Sequence, residues 1–252
     1  MPDFKLGKLP ARAGAVSFAF SAFLDATKLP PVPPVFGHQG LYASQPIGML
    51  GNDKYGDCVW AGAAHETMLW GDEAKHTFSF TDQSVLSDYA KVTGFKPSDP
   101  NSDKGTDMAV AASYRRKTGV VDSNGNRHKV AAYLALPVGN LDDVKLACYL
   151  FGAVGIGIKF PASAMDQFNK GQPWSVVPGA KIEGGHYVPL VGFDGTHFQI
   201  VTWGKVHPMD PDFLSTYMDE GIAYLSKEML TQGVSLEGFD QAALQADLKA
   251  LG

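Results

Sequence analysis

The chain has little of several things that usually announce a function. Of its 252 residues only two are cysteines, Cys58 and Cys148, too few for the disulfide framework of a small secreted domain. That shortage favours a cytoplasmic setting. There is no CxxC pair, no HExxH and no phosphate-cradling glycine loop, so no cofactor or metal is expected. There is no block of basic residues and the formal charge is −5, which speaks against nucleic acid and anionic membrane as partners. No apolar run approaches the roughly 18 residues of a membrane span, and no internal repeat is visible. Lys5, Lys8 and Arg12 precede an apolar stretch, residues 13–24, but Ser17 and Ser21 interrupt it and no small-x-small cleavage site follows, so a secretory leader is not expected.

What is present describes an ordinary globular protein, 45% hydrophobic and 19% charged, large enough for one domain or two lobes around a cleft. Residues 1–45 read as an extension. Val16, Phe18 and Phe20 alternate with small residues, and residues 29–34 (Leu-Pro-Pro-Val-Pro-Pro) form a proline-rich linker. From residue 46 to about 129 the pattern is mainly helical, with helices expected from Cys58 to Trp70, Thr81 to Val92 and Asp107 to Lys117. From about 130 to 252 it is strand-rich: strands at 130–138, 153–160, 186–193, 197–203 and 222–225, a helix opened by Asn140, a hairpin turn at Asp194-Gly195 and a C-terminal helix over 241–251. A helical lobe followed by an antiparallel sheet lobe is an α+β fold.

The stretch from Gly51 to Ala61 (Gly-Asn-Asp-Lys-Tyr-Gly-Asp-Cys-Val-Trp-Ala) delivers Cys58 to the first turn of a helix, with Asp57 as the expected N-cap. Unpaired N–H groups and the positive end of the helix dipole favour a thiolate there. A buried structural cysteine is the ordinary alternative. A nucleophilic thiol needs a base, and the best candidate is His186, behind Gly184-Gly185 and at the head of an apolar strand. The glycines let a bound chain approach the backbone closely. His186 lies 128 residues after Cys58, close to the roughly 130 to 150 of papain-like enzymes.

On these residues the chain resembles the papain-like cysteine peptidases over most of 46–252. The features that carry the resemblance are Asn52 six residues before Cys58, the helix beginning at Cys58, Gly185-His186 entering a strand that ends Val191-Gly192-Phe193, and Thr202-Trp203-Gly204. The resemblance implies a two-lobed cleft with a half-barrel sheet lobe, peptide or amide substrates, and acyl transfer through a Cys58 thioester. His186 would be the acid and base, and the Cys58 N–H and Asn52 amide would receive the oxyanion. Trp203 would shield the imidazole. By the same resemblance residues 1–45 would pack against the lobes or cover the cleft, as a propeptide does.

Two departures stand out. Asn52 replaces the family's glutamine, and Val201 falls where the family has the asparagine that orients the histidine. Thr202, turned in by a bulge or a one-residue shift, or Gln199 are the candidates to replace it. Three readings therefore stay open: a thiol hydrolase, a papain-like binding module with weak or no catalysis, and an acyltransferase using the same thioester. Oligomeric state is not legible. Elsewhere, His65 is expected as a buried histidine with a backbone partner, His207, Asp210 and Asp212 as part of a proline turn loop, Cys148 as core, and Phe78 and Phe80 as a short strand in the core or lining the cleft.

Overall fold

A computed structural model of the chain describes residues 4–22, 30–44 and 46–231. The helix expected over 241–251 lies outside the described residues.

The helical lobe is built on α1 (Cys58–Glu73), in which every residue from Cys58 to Gly71 is buried. A helix covered on all sides is a central one, and here α2 (Asp82–Thr93), α3 (Met108–Lys117) and the sheet all pack on it. Its polar residues must then find internal partners. Accordingly His65 Nε2 lies 3.1 Å from the carbonyls of Ile47 and Gly48, and the Thr67 hydroxyl donates to Ala63. Thr81 caps α2 in a reciprocal capping box with Ser84, and Gly94 ends it in the left-handed conformation. Asp107 caps α3 by accepting from the Val110 amide.

A two-stranded ribbon, β2 (Val120–Val121) with β3 (Arg127–His128), leads into the second lobe. That lobe contains β4 (Val130–Leu136), α4 (Leu141–Phe151), β5 (Val154–Pro161), α5 (Ala162–Asn169), β6 (Ile182–Phe193), β7 (Phe198–Thr202), β8 (Lys205–Met209), α6 (Pro211–Tyr217), β9 (Met218–Ser226) and α7 (Lys227–Thr231). The sheet is antiparallel in the order β4-β9-β5-β6-β7-β8, and the short β1 (Phe36–Gly37) adds to β6. One face buries Val188, Leu190 and Ile200 in the core of the sheet lobe, and the other turns Tyr187, Val191 and Val201 toward α1. The expected α+β order, helical lobe then antiparallel sheet, is the one observed.

Several local expectations differ. The β6–β7 connection is a four-residue loop, Asp194–His197, because the Asp194 carboxylate accepts from the Thr196 and His197 amides and holds the chain one step wider than a two-residue turn. Residues 205–209 are a strand rather than a turn loop. β8 is the last strand on its side of the sheet, where Pro208 displaces no ladder donor. Residues 78–80 form no strand; Phe78 packs on the ring of His128. Part of the predicted extension is embedded in the body: Phe20, Phe36 and Tyr42 are core residues, and β1 is a sheet strand.

Candidate active site

Cys58 opens α1, as its flanking residues predict, but Asp57 does not cap it through its side chain. The Asp57 carboxyl is fully buried, and burial holds it well above the usual carboxylate range. Cys58 itself is 2% exposed, and burial pushes its thiol up to about 12. The backbone amides of Tyr187 and Gly7 reach the sulfur and act the other way, without offsetting burial. The thiol is therefore neutral here, not the thiolate expected from a bare helix start.

His186 lies on β6 immediately before Tyr187. Its Nε2 is 2.8 Å from the Thr202 hydroxyl, while Nδ1 makes no hydrogen bond among the described residues. Burial pushes the imidazole down to about 3. Side-chain alternation along β7 explains the choice of Thr202. Ile200 and Thr202 face the sheet-lobe core, whereas Gln199 and Val201 take the opposite face. A register shift between Leu190 and Gly192 on β6 supplies the irregularity. Gln199 instead donates to Asp194 at 2.8 Å and does not reach His186.

Trp203 stacks on His186 with centroids 4.5 Å apart and planes 18° from parallel. It sits at φ +42°, beside Gly204 at φ +76°, in the two-residue turn between β7 and β8. Two positive φ values in succession are the signature of a primed hairpin turn, and here they aim the indole at the imidazole.

The cleft is occupied by the chain's own N-terminal segment. Lys8 N–H donates to the Gly185 carbonyl (3.0 Å), Leu9 N–H to the Thr106 carbonyl (3.0 Å), and Thr106 N–H to the Gly7 carbonyl (2.7 Å). Asn52, buried beside Cys58, donates its amide to the carbonyls of Tyr55 (3.0 Å) and Lys5 (3.4 Å). Phe4 stacks on the Trp203 indole at 5.1 Å. The fit is tight enough that a Cβ at Gly7 would lie 1.8 Å from the Gly56 oxygen, and one at Gly185 would lie 2.3 Å from the Lys8 oxygen. Glycine at 185 does admit a bound chain, and the bound chain is residues 4–9.

The segment is pinned by Lys8, whose ammonium meets Asp219 (2.9 Å) and Glu220 (3.1 Å) with no exposure of its own. Arg12 bonds Asp107 as a second anchor. Gly7 and Thr106 carry no signal in the sequence, and Lys8 shows there only as a charge ahead of residues 13–24. The adjacent carboxylates Asp219-Glu220, next to an apolar strand, are the one signal that points to a buried cation.

Other candidates fall outside the site's polar machinery. His65 is pushed down to about 4 by burial and held by carbonyls. His207 is buried among Phe168 and Trp174. Cys148 lies in the sheet-lobe core, 3.4 Å from the Leu190 carbonyl. Among the described residues no group of three or more His, Cys, Asp or Glu is arranged to hold a metal, and no helix is long and apolar enough to cross a membrane.

No family model and no curated sequence matches the chain. Solved structures do. Xylellain, a cysteine protease from Xylella fastidiosa, superposes with a TM-score of 0.66 at 16% identity, covering 87% of this chain and 95% of its own. Procathepsin B S9 from Trypanosoma congolense gives 0.65 at 12% identity, with 88% and 86% covered. The Carica candamarcensis cysteine protease CMS1MS2, solved with E-64, gives 0.56 at 13%, with 77% and 99% covered. The chain has the papain-like fold, in a form divergent in sequence.

Proposed function

We propose that this chain of papain-like fold is a thiol hydrolase acting on a peptide or amide bond, held in a resting state by residues 4–9. The observation that carries the reading is one small pocket lined by Asn52, Cys58, Thr202 and Trp203, with the His186 imidazole held against its wall by the Thr202 hydroxyl and the Trp203 ring and its Nδ1 unpartnered among the described residues.

With the segment displaced, water reaches Cys58 and His186, and the burial that keeps both neutral is relieved. His186 Nδ1 then takes the thiol proton, and Cys58 attacks the acyl carbon. The Cys58 N–H and the Asn52 amide receive the developing oxyanion, each such donor being worth about 3–4 kcal/mol. His186 protonates the leaving amine and afterwards activates the water that resolves the thioester. Thr202 orients the ring and Trp203 covers it. The Thr202 hydroxyl beside His186 supports this reading over the binding module that Val201 motivates.

The direction of the bound segment fits a resting state. The leaving amine must depart beside His186, so a cleaved peptide places its acyl, N-terminal side away from the imidazole, toward Thr106. The segment runs the other way: Phe4 lies on Trp203 next to His186, and Lys8 pairs in parallel with Thr106. The nearby procathepsin B structure is likewise a proform by name.

Brief treatment with an alkylating agent at mildly acidic pH, read by mass spectrometry, tests the reading. In a full chain carrying Gly7→Val, which cannot seat beside Gly56, Cys58 should label at least about tenfold faster than in the native chain and far faster than Cys148. His186→Ala should remove the gain. Equal, slow labelling of both cysteines in Gly7→Val would refute a thiol hydrolase. Following the acyl-enzyme with and without added amines separates hydrolysis from acyl transfer.

A further inference from the structure

Two carboxyls lie next to Gly56, and they are furnished in opposite ways. Asp103 takes the Gly56 N–H on both oxygens (3.1 and 3.0 Å) and the Tyr89 hydroxyl at 2.5 Å. Asp57, the residue before Cys58, is fully buried, and neither of its oxygens has a hydrogen-bond partner among the described residues. The Asn52 amide, the one side-chain donor in reach of it, is engaged with the carbonyls of Tyr55 and Lys5. The backbone is shaped to enclose this carboxyl. Gly51 sits at φ +98°, and a Cβ there would lie 2.9 Å from Asp57 Oδ2 and 3.1 Å from Leu86.

A buried carboxylate with neither donors nor a counter-charge is too costly to persist, and it takes a proton instead. The charged groups that face Asp57, from the loop before α3 and from the start of α2, are Asp103 and Asp82, acids themselves, so they add no counter-charge. The remaining titratable neighbour is Cys58, whose charge and that of Asp57 would repel each other at one desolvated helix start. Lys8, the cation that favours a charged Cys58 in the resting state, belongs to the bound segment and leaves with it. Asp57 keeps its enclosure, because Gly51 and Leu86 belong to the protein body.

We propose that Asp57 is a positioning acid of the site: it and Cys58 hold one negative charge between them, and Asp57 keeps its proton so that this charge is the thiolate. The assignment of the thiolate as nucleophile rests on the hydrolase reading above; the coupling of the two groups does not. In this arrangement the proton that Cys58 gives to His186 leaves an anion beside a neutral carboxyl, not beside a second anion.

Linkage makes the pair measurable. Two groups that exclude each other's charge titrate as a unit, and removing one lowers the midpoint of the other in whichever ionises second. Full-length protein carrying Gly7→Val, which unseats the segment, is labelled with carboxyl-carbon-13 aspartate. Asp57 is assigned through the backbone and titrated with Cys58 present and in Cys58→Ser. The Cys58 thiolate is titrated by its ultraviolet absorbance, with the Cys58→Ser spectrum subtracted, in chains carrying Asp57 or Asp57→Asn. Asp57 should still hold its proton at about pH 5.5, where an ordinary aspartate is ionised. One of the two midpoints should fall by at least about half a pH unit when its partner is removed. An Asp57 that is a carboxylate at about pH 5.5, or two midpoints that stay in place, overturns the proposal. Asp57→Ser, smaller and also uncharged, is the second variant, and the Cys58→Ser comparison decides the matter in a chain whose Asp57 is intact. A linked pair in a protein that cuts no peptide keeps Asp57 and overturns the hydrolase; peptide cleavage without linkage does the reverse.

Discussion

Tyr187 donates its hydroxyl to Glu66 at 2.6 Å, so the residue after His186 is tied directly to the third turn of the helix that Cys58 begins. The carboxylate is completely buried and also pairs with Arg115 at 2.6 Å; the Arg115 guanidinium in turn lies 3.9 Å above the ring of Tyr224 on β9. Helix, strand β6 and strand β9 share this one desolvated network, and the geometry between the two lobes depends on it.

Removing one side of that pair leaves a buried charge uncompensated. Arg115→Met should lower unfolding stability by about 3–5 kcal/mol, and adding Glu66→Leu should recover much of the loss, because a well-packed apolar pair can replace a buried ion pair. Urea denaturation of the two variants checks this. A single variant as stable as the native chain would show that Glu66 is not charged in the folded protein.

Thr202→Val keeps the shape of β7 and takes the hydroxyl from His186 Nε2. In the Gly7→Val background, turnover should fall by about one to two orders of magnitude, within the range of losing a correctly held acid–base group. KM should change less than turnover, since the Thr202 hydroxyl acts through the imidazole of His186. Gln199→Ala, whose partner is Asp194, should stay within about twofold.

The Arg12 anchor makes docking of the segment depend on pH. The guanidinium beside Asp107 holds its carboxyl below the usual range, so the pair is fully present above the ordinary carboxylate value and is lost as pH falls through the lowered one. Hydrogen exchange at the Leu9 amide, corrected for its intrinsic rate, should therefore show weakening protection toward acid. Arg12→Gln should lower protection at neutral pH and flatten that dependence.

The stacking of Phe4 on Trp203 offers an optical readout. Trp203 is 4% exposed with Phe4 stacked on its indole. Gly7→Val should shift tryptophan emission to the red, and a Trp203→Phe version should lose the shift. Emission unchanged by Gly7→Val would mean the segment stays docked.

Much of the setting of Cys58 is legible in the sequence because it is local. A polar glycine turn, Cys58 and an all-apolar helix are contiguous, and Gly185-His186 heads an apolar strand. Thr202 was one of two candidates, and alternation along β7 separates them only once the sheet faces are known. The Asp57 cap was read from residue type, which says nothing about burial, and burial decided both its carboxyl and the neutral state of Cys58 and His186. The segment in the cleft was the least legible part. Lys5, Leu6, Gly7 and Lys8 have no period, and their partners Thr106, Gly185 and Asp219 are about a hundred or more residues away. The sequence hides β8 because Pro208 argues against a central strand, and nothing local says that a strand will be the outer one.

The covalent tether of residues 4–9 has a quantitative consequence. A short tethered ligand acts at an effective concentration in the millimolar range, whatever the amount of protein. Dilution therefore cannot open the cleft. On the hydrolase reading proposed above, a peptide arriving from solution would compete against that local concentration, not against its own affinity alone, so the resting form would be blind to scarce or weak peptides and opened by whatever severs or unseats the tether.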